Sequence, residues 1–456
     1  MAVKRSARHK ALAWAAILLL AGASRLGVAA PPLEDVARGV HVDVGQISVS
    51  GISSGGFMAH QFHVAHSAHI LGAGIVAGGP YYCARGNILD AVTRCSQFVM
   101  LQCVALGLDP RWCSKTDLAP RSKGAIETAA QESFAEALRQ QGDGTIDPLT
   151  NLKQAHVYLF SGIHDENVPQ GVMDTLFRFY TDADKGGVAQ SQIEYSRTFP
   201  ARHTMVRDGF DKPAGNVVGN CPLPPTPAPP IDRNAFIDDC EAVARTQQQK
   251  EGCICPASPA PTADCPPEHK ETVCRNLRDV DLAGAILRRL YGEQALRGGR
   301  VDVAEDAVQA FDQAKVFAIF SKRPYNALQN ASMAREGYLF VPEPCRDGRR
   351  CRLHVAFHGC LQGGLTDHRS GHAGNLYAKY AGYNEWARAN EIIVLYPQIQ
   401  ARASIPLNPQ GCWDWWGQNY THQGYHTKRG KQIKAVAQMI NVLAGGGHLL
   451  EVEADD

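Results

Sequence analysis

The sequence has almost no net charge: 46 lysines and arginines stand against 45 aspartates and glutamates, leaving a formal +1. A chain this balanced does not hold nucleic acid or an anionic membrane through bulk electrostatics, which requires a clustered positive excess. It has no internal repeat, so a solenoid or fibrous array is excluded. Beyond residue 30 it has no run of eighteen apolar residues, the minimum for a spanning helix. The cysteines around Cys253 and Cys255 lack histidines at finger-like spacing, which argues against a zinc module. What is present is ordinary for a globular chain, with 45% hydrophobic residues over 456 positions. That length permits two or three domains, or one α/β domain with insertions.

Residues 1–30 have the layout of a secretory signal peptide: Lys4, Arg5, Arg8 and Lys10, an apolar stretch over 11–23, then small residues through Ala29 and Ala30. The apolar part is too short to span a bilayer. The expectation is a secreted or periplasmic protein with no stable membrane anchor and a mature domain over 31–456. Export makes disulfides the default reading of the fourteen cysteines. Cys345 and Cys351, flanking a short basic turn, form a natural local pair. The other pairings cannot be deduced.

Residues 206–275 hold six of the fourteen cysteines and twelve of the 26 prolines. Proline-rich backbone supplies few ladder or helix donors, so 207–275 reads as a stapled surface insertion, a flap rather than a lid. On either side the pattern alternates. Strands are expected at 46–50, 69–77, 157–160, 193–199, 353–357 and 392–396, and helices at 54–67, 169–183, 375–390 and 432–443. Such alternation predicts an α/β fold, a mostly parallel sheet with helices on both faces.

The sharpest motif is Gly51-Ile52-Ser53-Ser54-Gly55, a G-x-S-x-G between a predicted strand and a predicted helix. Glycines flank the serine because the turn is too tight for side chains there, and the hydroxyl is held up at the helix N-terminus. A serine needs a histidine to take its proton and a carboxylate to orient that histidine. In hydrolases with this elbow the chain order is serine, acid, histidine. Asp165 follows the strand at 157–160, with Glu166 its neighbouring rival. His203 follows the next strand, whereas His164 shares the acid's loop and is a bystander. The predicted catalytic residues are therefore Ser53, Asp165 and His203. Four further histidines, His60, His63, His66 and His69, recur every third residue. That period drifts around a helix, so they cannot converge on a metal and read as core.

Acyl transfer also needs donors for the developing oxyanion. The Ser54 amide is one. The other is expected from a His-Gly loop after a strand, and Phe357-His358-Gly359-Cys360 is such a loop, placing the Cys360 amide in that role. It lies three hundred residues after the serine instead of before it, so the chain reads as a circularly permuted α/β-hydrolase. Adjacent termini make such a cut physically reasonable. In Asn408-Pro409-Gln410-Gly411-Cys412-Trp413-Asp414-Trp415-Trp416-Gly417, three of six tryptophans fall within four residues. This loop reads as an aromatic wall for an apolar, uncharged substrate, with Trp413, Trp415 and Trp416 as the substrate-binding candidates; the sequence does not decide which of them faces the site.

GISSGGFMA, HVAFHGCLQG and NPQGCWDWWG, with GYNEWA at 382–387 and IVLYPQ at 393–398, together resemble the type 2 catalytic domain of short-chain-length polyhydroxyalkanoate depolymerases. The likeness covers about residues 40–445. It implies a permuted α/β-hydrolase fold, with the family's triad on Ser53, Asp165 and His203 and its oxyanion amides on Ser54 and Cys360. The implied reaction is hydrolysis of poly(3-hydroxybutyrate), or of its hydroxyacid oligomers, through an acyl-serine, with no cofactor and no metal. The alternative is a secreted carboxylesterase for small soluble esters. Many members append a polymer-binding domain, for which no room is left before Asp456; tight adsorption to crystalline polymer is the property this departure puts in doubt.

Overall fold

Along the central strands, side chains alternate between two cores, the period-two pattern of a sheet covered on both faces. In the strand Ile392–Tyr396, Ile393 and Leu395 enter one core, while Ile392, Val394 and Tyr396 enter the other. The computed structural model describes residues 30–97, 118–182, 187–199, 201–207, 281–364, 375–417 and 424–452, and the backbone of 237–239. The leader and almost all of the 207–275 insertion lie outside the described residues. The same is true of Cys103, Cys113 and the six cysteines of the insertion.

The first half of the chain supplies β1 (His41–Ile52), α1 (Ser54–Ala65), β2 (Gly72–Val76), α2 (Ile88–Thr93), α3 (Lys123–Gly142), β3 (His156–Phe160), α4 (Gln170–Thr181), β4 (Ile193–Ser196) and β5 (Met205–Arg207). The second half supplies β6 (Ile237–Asp239), α5 (Leu282–Tyr291), β7 (Val308–Asp312), α6 (Gln313–Phe320), β8 (Glu336–Phe340), β9 (Arg350–Phe357), α7 (Leu376–Tyr380), α8 (Tyr383–Ala389), β10 (Ile392–Tyr396) and α9 (Lys431–Leu443). Eight strands form one sheet in the order β4-β3-β2-β1-β9-β10-β8-β7, and β5 pairs with β6 separately. Pairings from β4 through β10 are parallel, while β8 runs antiparallel to β10 and β7. This is the expected mostly parallel α/β-hydrolase sheet. β9 lies directly beside β1 although it follows it by three hundred residues, which is the permutation read from the His-Gly loop.

Helices α1, α4, α6 and α9 pack on one face of the sheet, where Phe62, Met173, Phe317 and Met439 meet. Helices α5, α7 and α8 cover the other, where Ile286, Tyr377 and Tyr383 meet. Helix α1 is buried on every side, so its histidines are core residues. The His60 and His63 rings sit against the Gly79 carbonyl and the Tyr180 hydroxyl respectively, on separate partners. The Asp312 amide donates to the Pro31 carbonyl at 2.8 Å, tying the start of the expected mature chain to the sheet edge.

Several boundaries differ from expectation. Helix α4 starts at Gln170, with Pro169 as its preceding cap residue rather than within its first turn. The segment expected at 375–390 is two short helices broken at Gly382, whose φ of 94° ends one and begins the other. The strand expected at 69–77 begins only at Gly72, because His66 to Ile70 form a turn closing α1.

Candidate active site

Ser53 stands between β1 and α1 with φ 56° and ψ −126°. A non-glycine residue there stores about 1–3 kcal/mol of strain, which the surrounding structure must hold in place. The Ser53 amide donates to the Val76 carbonyl and its carbonyl accepts from Phe57, both at 3.0 Å. The turn leaves no space beside the serine. A Cβ on Gly51 would lie 2.1 Å from the Gly55 carbonyl oxygen, and one on Gly55 would lie 2.3 Å from that of Phe357. The second contact seats the nucleophile helix directly on the backbone entering the His-Gly loop.

Asp165 and His203 come together because β3 and β4 are parallel neighbours, so the loops after them leave the same end of the sheet. Those loops are bonded to each other: the Ile163 and His164 amides donate to the Phe199 and Ala201 carbonyls. The Asp165 carboxylate is fully buried. It accepts from the Asn167 and Val168 amides at 2.9 Å each, and from His203 Nδ1 at 2.9 and 3.0 Å. Since a carboxylate only accepts, Nδ1 carries the proton and Nε2 is left as the acceptor, the tautomer a general base needs. Glu166 is exposed.

A cavity of about 540 Å³ is lined by Ser53, Ser54 and His203 together with Gly359, Cys360 and Gln362. Neither the Ser54 nor the Cys360 amide donates to another described residue, so both donors are unspent at its edge. Apolar groups form most of the rest of the wall, Phe57, Ile88, Val168, Leu361, Trp415 and Trp416 among them, with Ser96, Asn167, Asn408 and Gln410 as uncharged polar members. Trp415 stacks on Phe57 with ring centroids 4.2 Å apart.

Trp413 is the exception among the three tryptophans. It is fully buried, packs edge-on to Phe357 at 4.9 Å, and does not line the cavity. The expectation that it contacts substrate is corrected: it is a core plug beneath the loop, and of the three tryptophans Trp415 and Trp416 line the cavity. Three disulfides are described. Cys345–Cys351 is the pair expected from spacing, while Cys83–Cys95 and Cys360–Cys412 were not deducible. The last joins the His-Gly loop to the tryptophan loop. Phe57 and Gln362 stand within the GISSGGFMA and HVAFHGCLQG segments, but nothing in the sequence set them apart as cavity-lining, and the α2 residues carry no motif.

No family model matches the chain. It is similar to the poly(3-hydroxybutyrate) depolymerase of Delftia acidovorans, with 31% identity over 408 residues, 89% of this chain. The chain spans 61% of that protein's length. It is also 26% identical over 448 residues to the polyhydroxybutyrate depolymerase of Talaromyces funiculosus, covering 95% of this chain and 97% of the relative. Two solved structures share the fold at TM-score 0.60 and 26% identity, covering 92% of this chain and 99% of theirs. One is the crystal structure of the depolymerase from Penicillium funiculosum. The other is a serine-to-alanine variant of a PHB depolymerase complexed with an R3HB trimer.

Proposed function

We propose, on its similarity to the poly(3-hydroxybutyrate) depolymerases, that the chain is an exported serine esterase. Its substrates are ester bonds of poly(3-hydroxybutyrate), or of short hydroxyacid oligomers. The observation that carries the reading is a single cavity bordered by Ser53 on its strained turn, by His203 held through Nδ1 on Asp165, and by two unspent amides. The apolar wall suits an uncharged polyester segment, and a hydroxybutyrate trimer is what the related serine-to-alanine variant holds.

The steps follow from these groups. His203 Nε2 takes the Ser53 proton as Oγ attacks the ester carbonyl, and Asp165 stabilises the imidazolium. The negative charge on the carbonyl oxygen is met by the Ser54 and Cys360 amides. His203 then returns the proton to the leaving alkoxide, and the acyl-serine is hydrolysed by water through the same sequence in reverse. Export rests on the leader-like residues 1–30, with 31–456 as one catalytic domain carrying the 207–275 insertion. Among the described residues no helix is long and apolar enough to cross a membrane.

The test uses purified protein and its Ser53→Ala variant with amorphous poly(3-hydroxybutyrate). Soluble 3-hydroxybutyrate released by the parent alone is the expected result. A parent that cleaves a soluble butyrate ester but releases nothing from polymer would replace the depolymerase reading with that of a small-ester carboxylesterase.

A further inference from the structure

The loop bearing the Cys360 amide has no regular secondary structure to hold it, yet an oxyanion donor must be fixed to within a few tenths of an ångström. What fixes it is a pair of buried side chains gripping Gly359 from both ends. Gln362 Oε1 accepts from the Gly359 amide at 2.6 Å. The Gly359 carbonyl meets His358 Nδ1 at 2.7 Å. On its far side the His358 ring accepts, through Nε2, from the Ile399 amide at 3.0 Å. That acceptance assigns the ring its tautomer: Nδ1 carries the proton and donates it to the Gly359 carbonyl. Both side chains are buried, at 0% and 2% exposure.

The consequence is that both backbone polar groups of Gly359 are held by side chains. Its amide is consumed by Gln362, so it cannot compete as a donor to substrate. The next amide in the chain, that of Cys360, is left unspent and aimed by a peptide plane whose carbonyl is pinned. A Cβ on Gly359 would stand 3.3 Å from the Ser53 Cβ and 3.0 Å from Gln362 Oε1, so the gripped residue is the one in contact with the nucleophile. The loop's other end is anchored too, by the Leu361 amide on the Gln410 carbonyl at 2.7 Å.

We infer that Gln362 is a positioning residue for catalysis: its carboxamide oxygen, opposite His358, sets the direction of the Cys360 amide toward the developing oxyanion. This inference rests on the proposed Ser53 chemistry and deepens it. Gln362 does not touch the reacting atoms in this role, so its removal weakens transition-state binding without weakening ground-state binding.

The experiment compares the parent with Gln362→Met, which keeps the side chain's length and loses the acceptor. Turnover of 4-nitrophenyl butyrate gives kcat and KM, and competition by phenylboronic acid, which forms a tetrahedral adduct on a serine oxygen, reports oxyanion-like binding. The expected result is a fall in kcat of about 10- to 100-fold, with KM held within about threefold and boronate affinity lowered in step with kcat. If Gln362→Met does not fold by thermal melt, Gln362→Ser is measured in its place with the same expectation. A folded variant whose kcat and boronate affinity match the parent overturns the inference, as does one whose loss lies wholly in KM. Phosphonate labelling of the parent at Ser53, read by mass spectrometry, separates the two levels: an unlabelled, inactive parent sinks the serine-esterase reading itself, and a labelled parent with an unaffected variant sinks only the role of Gln362.

Discussion

The Asp165 carboxylate is bonded at once to His203 Nδ1 and to the amides of Asn167 and Val168, with no exposed oxygen left over. The two amides anchor the acid, and the acid in turn fixes which histidine nitrogen is protonated. Asp165→Asn keeps the shape but presents an amide NH₂ that favours the opposite tautomer. Its kcat on a soluble butyrate ester should fall by a factor on the order of 10⁴. Glu166→Gln, in the same loop but exposed, should stay within about twofold of the parent, the spread expected of a surface change. A reversal of these two results would reassign the acid.

The tryptophan loop should separate stability from binding. Trp413→Ala empties a buried site packed against Phe357 and should cost about 3–5 kcal/mol in a denaturant titration. Trp416→Ala removes a half-exposed ring from the cavity wall and should leave the unfolding midpoint nearly unchanged while raising KM for oligomeric substrate. Equal effects of the two on stability would mean that Trp416 is also a core residue.

Much of this arrangement was legible in the sequence because its parts are local. The turn at 51–55 declares itself by glycines at fixed offsets from a serine, and Asp165 and His203 each follow an apolar strand-like run. Other features were not legible for physical reasons. β7 is a short edge strand with half-exposed positions, so Val308–Asp312 shows no apolar run and its antiparallel pairing with β8 leaves no local mark. Helix α3 buries three alanines, Ser133, Gln140 and one phenylalanine, a stripe too weak to stand out over 123–142. Trp413 was misassigned because burial at a loop depends on partners far away in the chain, here Phe357 beneath it, whereas Gln362 bonds Gly359 within its own turn, a contact that leaves no periodic mark in the sequence.

The nucleophile turn gives a steric prediction. Gly55→Ala would drive a methyl group to 2.3 Å from the Phe357 carbonyl and 2.4 Å from that of His358, both backbone atoms that cannot swing aside. Either α1 lifts from β9 or the His-Gly loop shifts, and both separate Ser53 from the Cys360 amide. The expected outcome is lower thermal stability together with activity below a hundredth of the parent's, the scale of losing an oxyanion donor, about 10²-fold or more. Parent-like activity would mean the two elements tolerate being pushed apart.

The disulfide between Cys360 and Cys412 joins the predicted oxyanion loop to the wall that carries Trp415. Replacing Cys412 with alanine should lower kcat more than it raises KM, because the amide being positioned belongs to Cys360. Stability should fall as well, by roughly 2–4 kcal/mol for a loop of this size. Loss of stability with unaltered kcat at a permissive temperature would assign the bond a purely structural role.

Acid should unfold this protein well before its carboxylates titrate. Burial holds the imidazoles of His60, His63, His66 and His354 down to about 3, with the charge of His63 adding to the effect at His60. In the unfolded chain the same groups take up protons near pH 6.5. The folded values are depressed, so the stability conferred by keeping these rings neutral is complete above about pH 6.5. It is lost progressively as pH falls from there toward about 3, because the unfolded state binds the protons first. Each ring then costs about 1.4 kcal/mol per pH unit, or about 2 kcal/mol at pH 5. Four together approach the whole stability of a typical domain, about 5–15 kcal/mol. The carboxyl of Glu136 is also held low, to about 2, against an ordinary 4.5; burial opposes this, and hydrogen bonds from His426, Arg139 and Gln140 outweigh it. Its contribution is lost only below about pH 4.5, so the histidine window opens first. Denaturant titrations stepped downward from neutral pH should show the unfolding free energy falling with a slope of about four protons in that upper window. His63→Phe, which removes one titrating ring from the core, should reduce the slope by about one proton. An unfolding free energy that stays level until the carboxylate range would mean these rings gain protons, or water, in the folded state.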